Sequence, residues 1–134
     1  LTRSSIKKEK VMKVIIAGSR TIQNYNLVLN AIKASGFKIT EVVSGGAGGV
    51  DSMGETWAYA HNVPIKQFPT DWNKYGKSAG YRRNEQMAEY ADALILVWDG
   101  QSKGSAHMLK LSKCYSIKVF VWVLEDGEIR VIKK

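Results

Sequence analysis

Apolar residues fall along this chain in two alternating rhythms. Short runs rich in apolar residues at Val14 to Ala17, Ile39 to Val43, Ile65 to Phe68, Ala93 to Trp98 and Ile117 to Val123 have the length and composition of strands in a covered sheet. Between them lie stretches whose apolar positions recur three or four apart, the spacing of a helix with one buried side. In the first such stretch Asn24 stands as the N-cap, Tyr25, Val28, Leu29 and Ile32 form the stripe, and Gly36 ends it. The second runs from Val50 to His61, with Val50, Met53, Gly54, Trp57, Ala58 and His61 on one side. Two more helices are predicted over Tyr81 to Tyr90 and Lys103 to Tyr115, with a polar loop over Pro69 to Gly80. Asp126-Gly127 reads as a hairpin turn leading into an antiparallel edge strand, Ile129 to Ile132.

Strands alternating with helices predict an α/β fold: a mostly parallel sheet of about five strands, covered by helices on both faces, with the antiparallel edge strand added at the C-terminus. In such sheets ligands bind beyond the carboxyl ends of the strands. The length of 134 residues suits one domain, expected over 12–134. Residues 1–11 carry Arg3, Lys7, Lys8 and Lys10 against Glu9, which is +3 of the total charge of +8, and are expected to form a flexible basic extension.

The remaining charge fits an anionic ligand without by itself implying DNA. No run approaches the roughly 20 apolar residues needed to cross a membrane, and no apolar segment of the signal-peptide kind follows the basic N-terminus. A single cysteine, Cys114, allows no internal disulfide and fits a reducing, cytoplasmic setting, with a structural role inside its helix expected. His61 and His107 have no partners at metal-ligand spacing, so no metal is expected.

The chemistry gathers where the strands end. After the second strand comes Ser44-Gly45-Gly46-Ala47-Gly48-Gly49-Val50-Asp51. A glycine-rich turn into a helix brings backbone N–H groups and the positive end of the helix dipole close to an anion. The run lacks the lysine of a Walker A loop and the spacing of a dinucleotide fingerprint. Gly18-Ser19-Arg20 follows the first strand, and Asp99 with Ser102-Lys103-Gly104-Ser105 follows the fourth. Arg20 and Lys103 are candidates for clamping phosphate. Ser19, Ser44 and Ser105 either donate to it or cap helices. Asp51 and Glu55, one helical turn apart, either hold ribose hydroxyls, act as acid and base, or simply favour the helix dipole. Arg82, Arg83 and Asn84 open the third predicted long helix, where two cations oppose the dipole unless a ligand or ion pair compensates. Trp57, Trp98 and Trp122 are expected in the core, and Trp72 either stacks on a base or anchors its loop.

These motifs, in this order, resemble the SLOG superfamily, and most closely its YspA/YpsA-like branch. The resemblance spans Met12 to Val123 and rests on Gly18-Ser19-Arg20, the run from Ser44 to Asp51, Gly80 with Arg83-Asn84, Ala91-Asp92-Ala93, and Trp98-Asp99-Gly100 with Ser102-Lys103-Gly104-Ser105. It implies a Rossmann-like three-layer sandwich and a nucleotide or nucleotide-derived ligand, with no cofactor required. It also implies a role as sensor or processing module, often tied to phage or mobile elements, and possible homo-oligomers. On this resemblance Gly45, Gly46, Gly48, Gly49, Gly104 and Ser105 would cradle phosphate, and Arg20, Arg83 and Lys103 would neutralise charge. Gly18, Ser19, Ser44, Asn84 and Asp99 would complete the site, and Asp51 would hold ribose or orient its loop.

Two related families extend the reading. The cytokinin-activating phosphoribohydrolases (LOG) carry a similar arginine and a Pro-Gly-Gly-x-Gly-Thr-x-x-Glu loop. Arg83 matches that arginine and Gly104-Ser105 the Gly-Thr pair, but Met108 stands where their catalytic glutamate would be. Hydrolysis of an N-glycosidic or phosphoribosyl bond would then need Glu55 or Asp51. The DNA-processing protein A (Smf) family shares Gly-Ser-Arg and a Ser-Gly-x-Ala-x-Gly-x-Asp loop. It implies single-stranded DNA as an alternative partner, for which Lys74, Lys77, Arg82 and Arg83 with Trp72, Tyr75 and Tyr81 supply basic and aromatic groups.

Overall fold

The computed structural model describes residues 11–125 and 128–133. The expected extension over 1–11 therefore lies almost wholly outside the described residues, as does the Asp126-Gly127 turn. Six strands, β1 (Lys13–Gly18), β2 (Glu41–Ser44), β3 (Ile65–Gln67), β4 (Ala93–Trp98), β5 (Lys118–Glu125) and β6 (Glu128–Lys133), form one sheet in the order β3-β2-β1-β4-β5-β6. All neighbours are parallel except β5 and β6, which pair antiparallel with Trp122 opposite Val131. The chain thus winds outward from β1 in one direction and restarts at β4 in the other.

Two layers of helices cover the sheet. Helices α1 (Tyr25–Ser35) and α2 (Val50–Ala60) lie on one face. Their Val28, Ile32, Val50 and Ala58 pack with Val14, Ile16, Ile95 and Val97 of the sheet. Helices α4 (Ala79–Tyr90) and α5 (Lys103–Cys114) cover the other face. There Met87, Ala88 and Met108 meet Ile15, Leu94, Leu96 and Val121. Successive strand residues alternate between the two cores because strand side chains point to opposite faces. Each fully buried aliphatic side chain contributes about 1.5–3 kcal/mol to this packing.

Local signals set the helix ends. Asn24 caps α1 by accepting from the Leu27 N–H at 3.2 Å, and Gly36 closes it in the left-handed region at φ 71°. The predicted polar loop over 69–80 is largely helical: α3 (Trp72–Tyr75), capped by Asp71 at Lys74 N, runs through a 3-10 turn (Gly76–Ser78) into α4. So short a helix has no apolar stripe to reveal it. Arg82 and Arg83 consequently sit at the fourth and fifth residues of α4 rather than at its opening. Cys114 is exposed at the end of α5, not packed as a structural cysteine, and His61 is exposed against the Trp57 ring, 4.5 Å between centroids. Trp57, Trp98 and Trp122 pack half-buried against the cores, whereas Trp72 is 59% exposed.

The amino-terminal edge of the sheet is sealed by its own hydrogen bonds. Met12 O accepts from Thr40 N and Glu41 N, Asp92 N donates to Lys13 O, and Asp92 O accepts from Lys118 N. The Asp92 carboxylate takes Lys13 N at 2.9 Å. No helix among the described residues is long and apolar enough to cross a membrane.

Gly54 sets how closely α2 can approach β1. A Cβ there would stand 2.8 Å from Ile16 Cβ and Cγ2, closer than packing tolerates. Gly54→Ala is expected to lose about 1–3 kcal/mol of stability through overpacking, although alanine favours a helix by about 1 kcal/mol. Urea denaturation checks this. Gly48→Ala, whose Cβ meets nothing within 4 Å, should stay within about 0.5 kcal/mol of the parent.

Candidate functional site

The reversal of winding between β1 and β4 leaves a crevice at their carboxyl ends. The Gly18-Ser19 backbone holds this edge together. Ser19 N donates to Val97 O at 3.1 Å, Val50 N to Ser19 O at 3.4 Å, and Asp99 N to Ser19 Oγ at 3.0 Å. A side chain at Gly18 would drive its Cβ to 1.9 Å from Val97 O. At Gly49, with φ 68°, a Cβ would lie 2.5 Å from Ser19 O. The loops after β1, β2 and β4 are therefore fixed to one another by backbone contacts that only glycine permits.

Between them opens a cleft of about 470 Å³. Ala17, Met87 and Met108 give it an apolar floor. Ser19, Arg20, Asp51, Arg83, Asn84, Asp99 and Ser105 supply polar walls, and Gly18, Thr21, Ala47, Gln101, Ser102 and Gly104 complete the lining. Helix α5 begins at this cleft, and its N-cap residue Ser102 makes no side-chain cap. The first-turn N–H groups and the dipole of α5 thus face a cavity that Gly104 and Ser105 line. Asp99 instead braces the preceding turn, its Oδ1 accepting Gln101 N at 2.8 Å and Ser102 N at 2.9 Å. Those two bonds hold its carboxyl below the ordinary carboxylate range.

Asp51 is buried, 6% exposed, and accepts Ala47 N at 3.3 Å. Burial pushes its pKa up to about 6, against the opposing pull of that N–H and of the Arg83 charge. Arg83 is half-buried. Its Nε donates to Asn84 Oδ1 at 3.0 Å and its Nη1 to Gly45 O. A Cβ on Gly45 would collide with that guanidinium. Asn84 in turn reaches Gly104 O at 3.4 Å and His107 Nδ1 at 3.3 Å, tying α4 to α5. Burial lowers the His107 pKa.

Of the sequence-predicted site residues, the fold brings Gly18, Ser19, Arg20, Asp51, Arg83, Asn84, Asp99, Gly104 and Ser105 to the cleft. It does not bring the others there. Ser44 Oγ donates to Glu55 Oε2 at 2.6 Å and accepts Gly46 N at 3.1 Å. Glu55 also takes Gln67 Nε2 at 3.0 Å, so this carboxylate braces β2, α2 and β3 away from the cleft lining. Lys103 is exposed beside the cleft without lining it. Gly45, Gly46, Gly48 and Gly49 also stay outside the lining; Gly46 and Gly49 serve turns of positive φ. The lining also contains Ala17, Thr21, Ala47, Met87, Gln101, Ser102 and Met108, which the sequence reading did not assign to the site. Most of them are apolar or small and carry no distinctive chemistry.

Comparison with known proteins follows the same outline. A sequence model of the YspA, cpYpsA-related SLOG family matches residues 12–75. The Gene 61 protein of Mycobacterium phage D29 is 31% identical over 117 residues, which cover 80% of this chain and 93% of the phage protein. The chain belongs to the SLOG superfamily. This SLOG chain also superposes on the X-ray structure of DNA processing protein A (DprA) from Streptococcus pneumoniae, with a TM-score of 0.68 at 17% identity. The match covers 83% of this chain and 50% of DprA, so the SLOG fold here spans half that protein's length. The shared Rossmann-like architecture is the one its sheet order displays.

The buried carboxylate gives the SLOG fold a pH signature. The folded pKa of Asp51, about 6, exceeds the ordinary 3.8. Its stabilising contribution is therefore fully present below about pH 3.8 and is lost as pH rises through 6. Wild type should lose roughly 2–3 kcal/mol across that window relative to Asp51→Asn, which cannot ionise. Denaturation midpoints of the two proteins between pH 4 and 8 measure the difference; parallel curves would contradict it.

Proposed function

We propose that this protein binds a nucleotide or nucleotide-derived phosphorylated ligand in the cleft between β1 and β4, as a sensor or processing module. The observation that carries the reading is the pairing of two arginines, Arg20 and Arg83, with the uncapped amino end of α5 around one cavity. Free N–H groups and guanidinium forks are the donors phosphate oxygens require. Ser105 adds a hydroxyl. The floor of Ala17, Met87 and Met108 suits the apolar face of a sugar or base, and the unused lone pairs of Asp51 suit a ribose hydroxyl.

Binding without hydrolysis is the better-supported form of this reading. A glycosidic cleavage needs a carboxylate at the reacting sugar. Met108, in the cleft floor, offers none, and Glu55 is engaged by Ser44 and Gln67. Asp51 is the remaining candidate. With a pKa of about 6 it is half-protonated at pH 6 and mostly ionised above pH 7, and it is the carboxylate that product analysis tests.

Calorimetric titration with a panel of nucleoside monophosphates tests the proposal. Saturable binding is expected, and Arg20→Ala should weaken it about tenfold, the loss of one charge-assisted contact. Arg20 is exposed and forms no ion pair among the described residues, so the thermal midpoint should not move. Incubation with the bound nucleotide should release neither free base nor ribose phosphate. Absence of saturable binding to every nucleotide would overturn the reading, and released base would make the protein an enzyme.

A further inference from the structure

Arg83 lines a second cavity besides the cleft. This hollow, of about 260 Å³, lies between the turn after β3 and helix α4, with Pro69, Asp71, Lys74, Tyr75 and Arg82 among its walls. It exists because the segment after β3 is not a loose loop. Asp71 caps α3, and Gly76 at φ 56° ends it, which brings Tyr75 against α4.

The hollow is unusually rich in unpaired positive charge. Lys74 Nζ stands 5.2 Å and Arg82 Cζ 5.4 Å from the centroid of the Tyr75 ring. The ring face attracts both cations, yet it gathers like charges beside Arg83. Asp71 is the one carboxylate among the lining residues, and its Oδ1 is taken by Lys74 N at 3.0 Å. None of Lys74, Arg82 and Arg83 forms an ion pair among the described residues. An anion in the hollow would relieve that repulsion and meet several donors at once. A second base is a poorer occupant, because cations already stand over the Tyr75 ring.

We infer that this hollow is a second phosphate subsite, so that the ligand is a nucleotide with phosphate on both sides of one sugar and with Arg83 between the two groups. The inference rests on the nucleotide reading of the cleft. Two sources share this chemistry: a small nucleoside 3′,5′-bisphosphate, and an oligonucleotide whose phosphodiester follows the first sugar.

Calorimetry on the full chain with adenosine 5′-monophosphate, adenosine 3′,5′-bisphosphate and the 5′-phosphorylated dinucleotide pApA separates the cases. Wild type should bind at least one of the two longer probes about tenfold more tightly than the monophosphate. Equal gains for both identify the small bisphosphate as sufficient, and a gain for pApA alone identifies the oligonucleotide. The double variant Lys74→Gln, Arg82→Gln should abolish the gain and leave monophosphate affinity unchanged. Both side chains are exposed, so the double variant should keep the fold, which its circular dichroism spectrum checks. Equal affinity of wild type for all three probes would overturn the subsite alone, as would a gain that survives in the double variant. Failure of all three to bind would overturn the cleft reading and the subsite with it.

Discussion

Everything at the working edge of this fold depends on how closely three backbone segments meet at Gly18 and Ser19. The β1 backbone passes so near Val97 O that no side chain fits at Gly18, and a Cβ at Gly49 would likewise clash with Ser19 O. The hydrogen bonds from Ser19 N, Val50 N and Asp99 N then lock the ends of β1 and β4 to the start of α2. The first two are backbone contacts that cannot relax by changing rotamer, and the third is accepted by the buried Ser19 hydroxyl. They bring Arg20, Asp51, Asp99 and the amino end of α5 to one cleft.

Within that frame the charged groups are held mainly by neutral partners. Arg83 and Asp51 attract each other, but burial works against the charge of both. Arg83 is instead held by neutral acceptors, Gly45 O and Asn84 Oδ1, which orient its guanidinium without cancelling its charge. Glu55 is occupied by Ser44 and Gln67. The cleft lining therefore sets two arginines, Arg20 and Arg83, beside two carboxylates, of which Asp51 is buried and Asp99 is engaged by the N–H groups of Gln101 and Ser102.

The sheet, its long helices and their ends were legible in the sequence because each rests on a local rule. Unbroken apolar runs marked β4 to the residue, and Asn24 and Gly36 bounded α1. The loops of the cleft were legible as motifs. What could not be read was the division of labour among similar residues. Gly45 accommodates Arg83 from 38 positions away, whereas Gly48 and Gly104 border open space. The pairing of Ser44 with Glu55 and Gln67 joins three elements, and the burial of Asp51 arises from the loops around it. The helical character of 72–78 was hidden for another reason. A single turn closed by Asp71 is too short for periodicity to show.

The two edges of the sheet are built on opposite principles. At the amino-terminal edge, Met12 pairs with Thr40 and Glu41, and Asp92 with Lys13 and Lys118, so that these backbone groups are satisfied. At the carboxyl edge, the amino end of α5 and the side chain of Arg20 remain free for something else. One end of the molecule is therefore closed, whereas the other couples a tight joint at Gly18, Ser19 and Gly49 to residues that the joint does not use. Those residues can change their chemistry without renegotiating the fold, so a small domain of this plan can be retuned one side chain at a time.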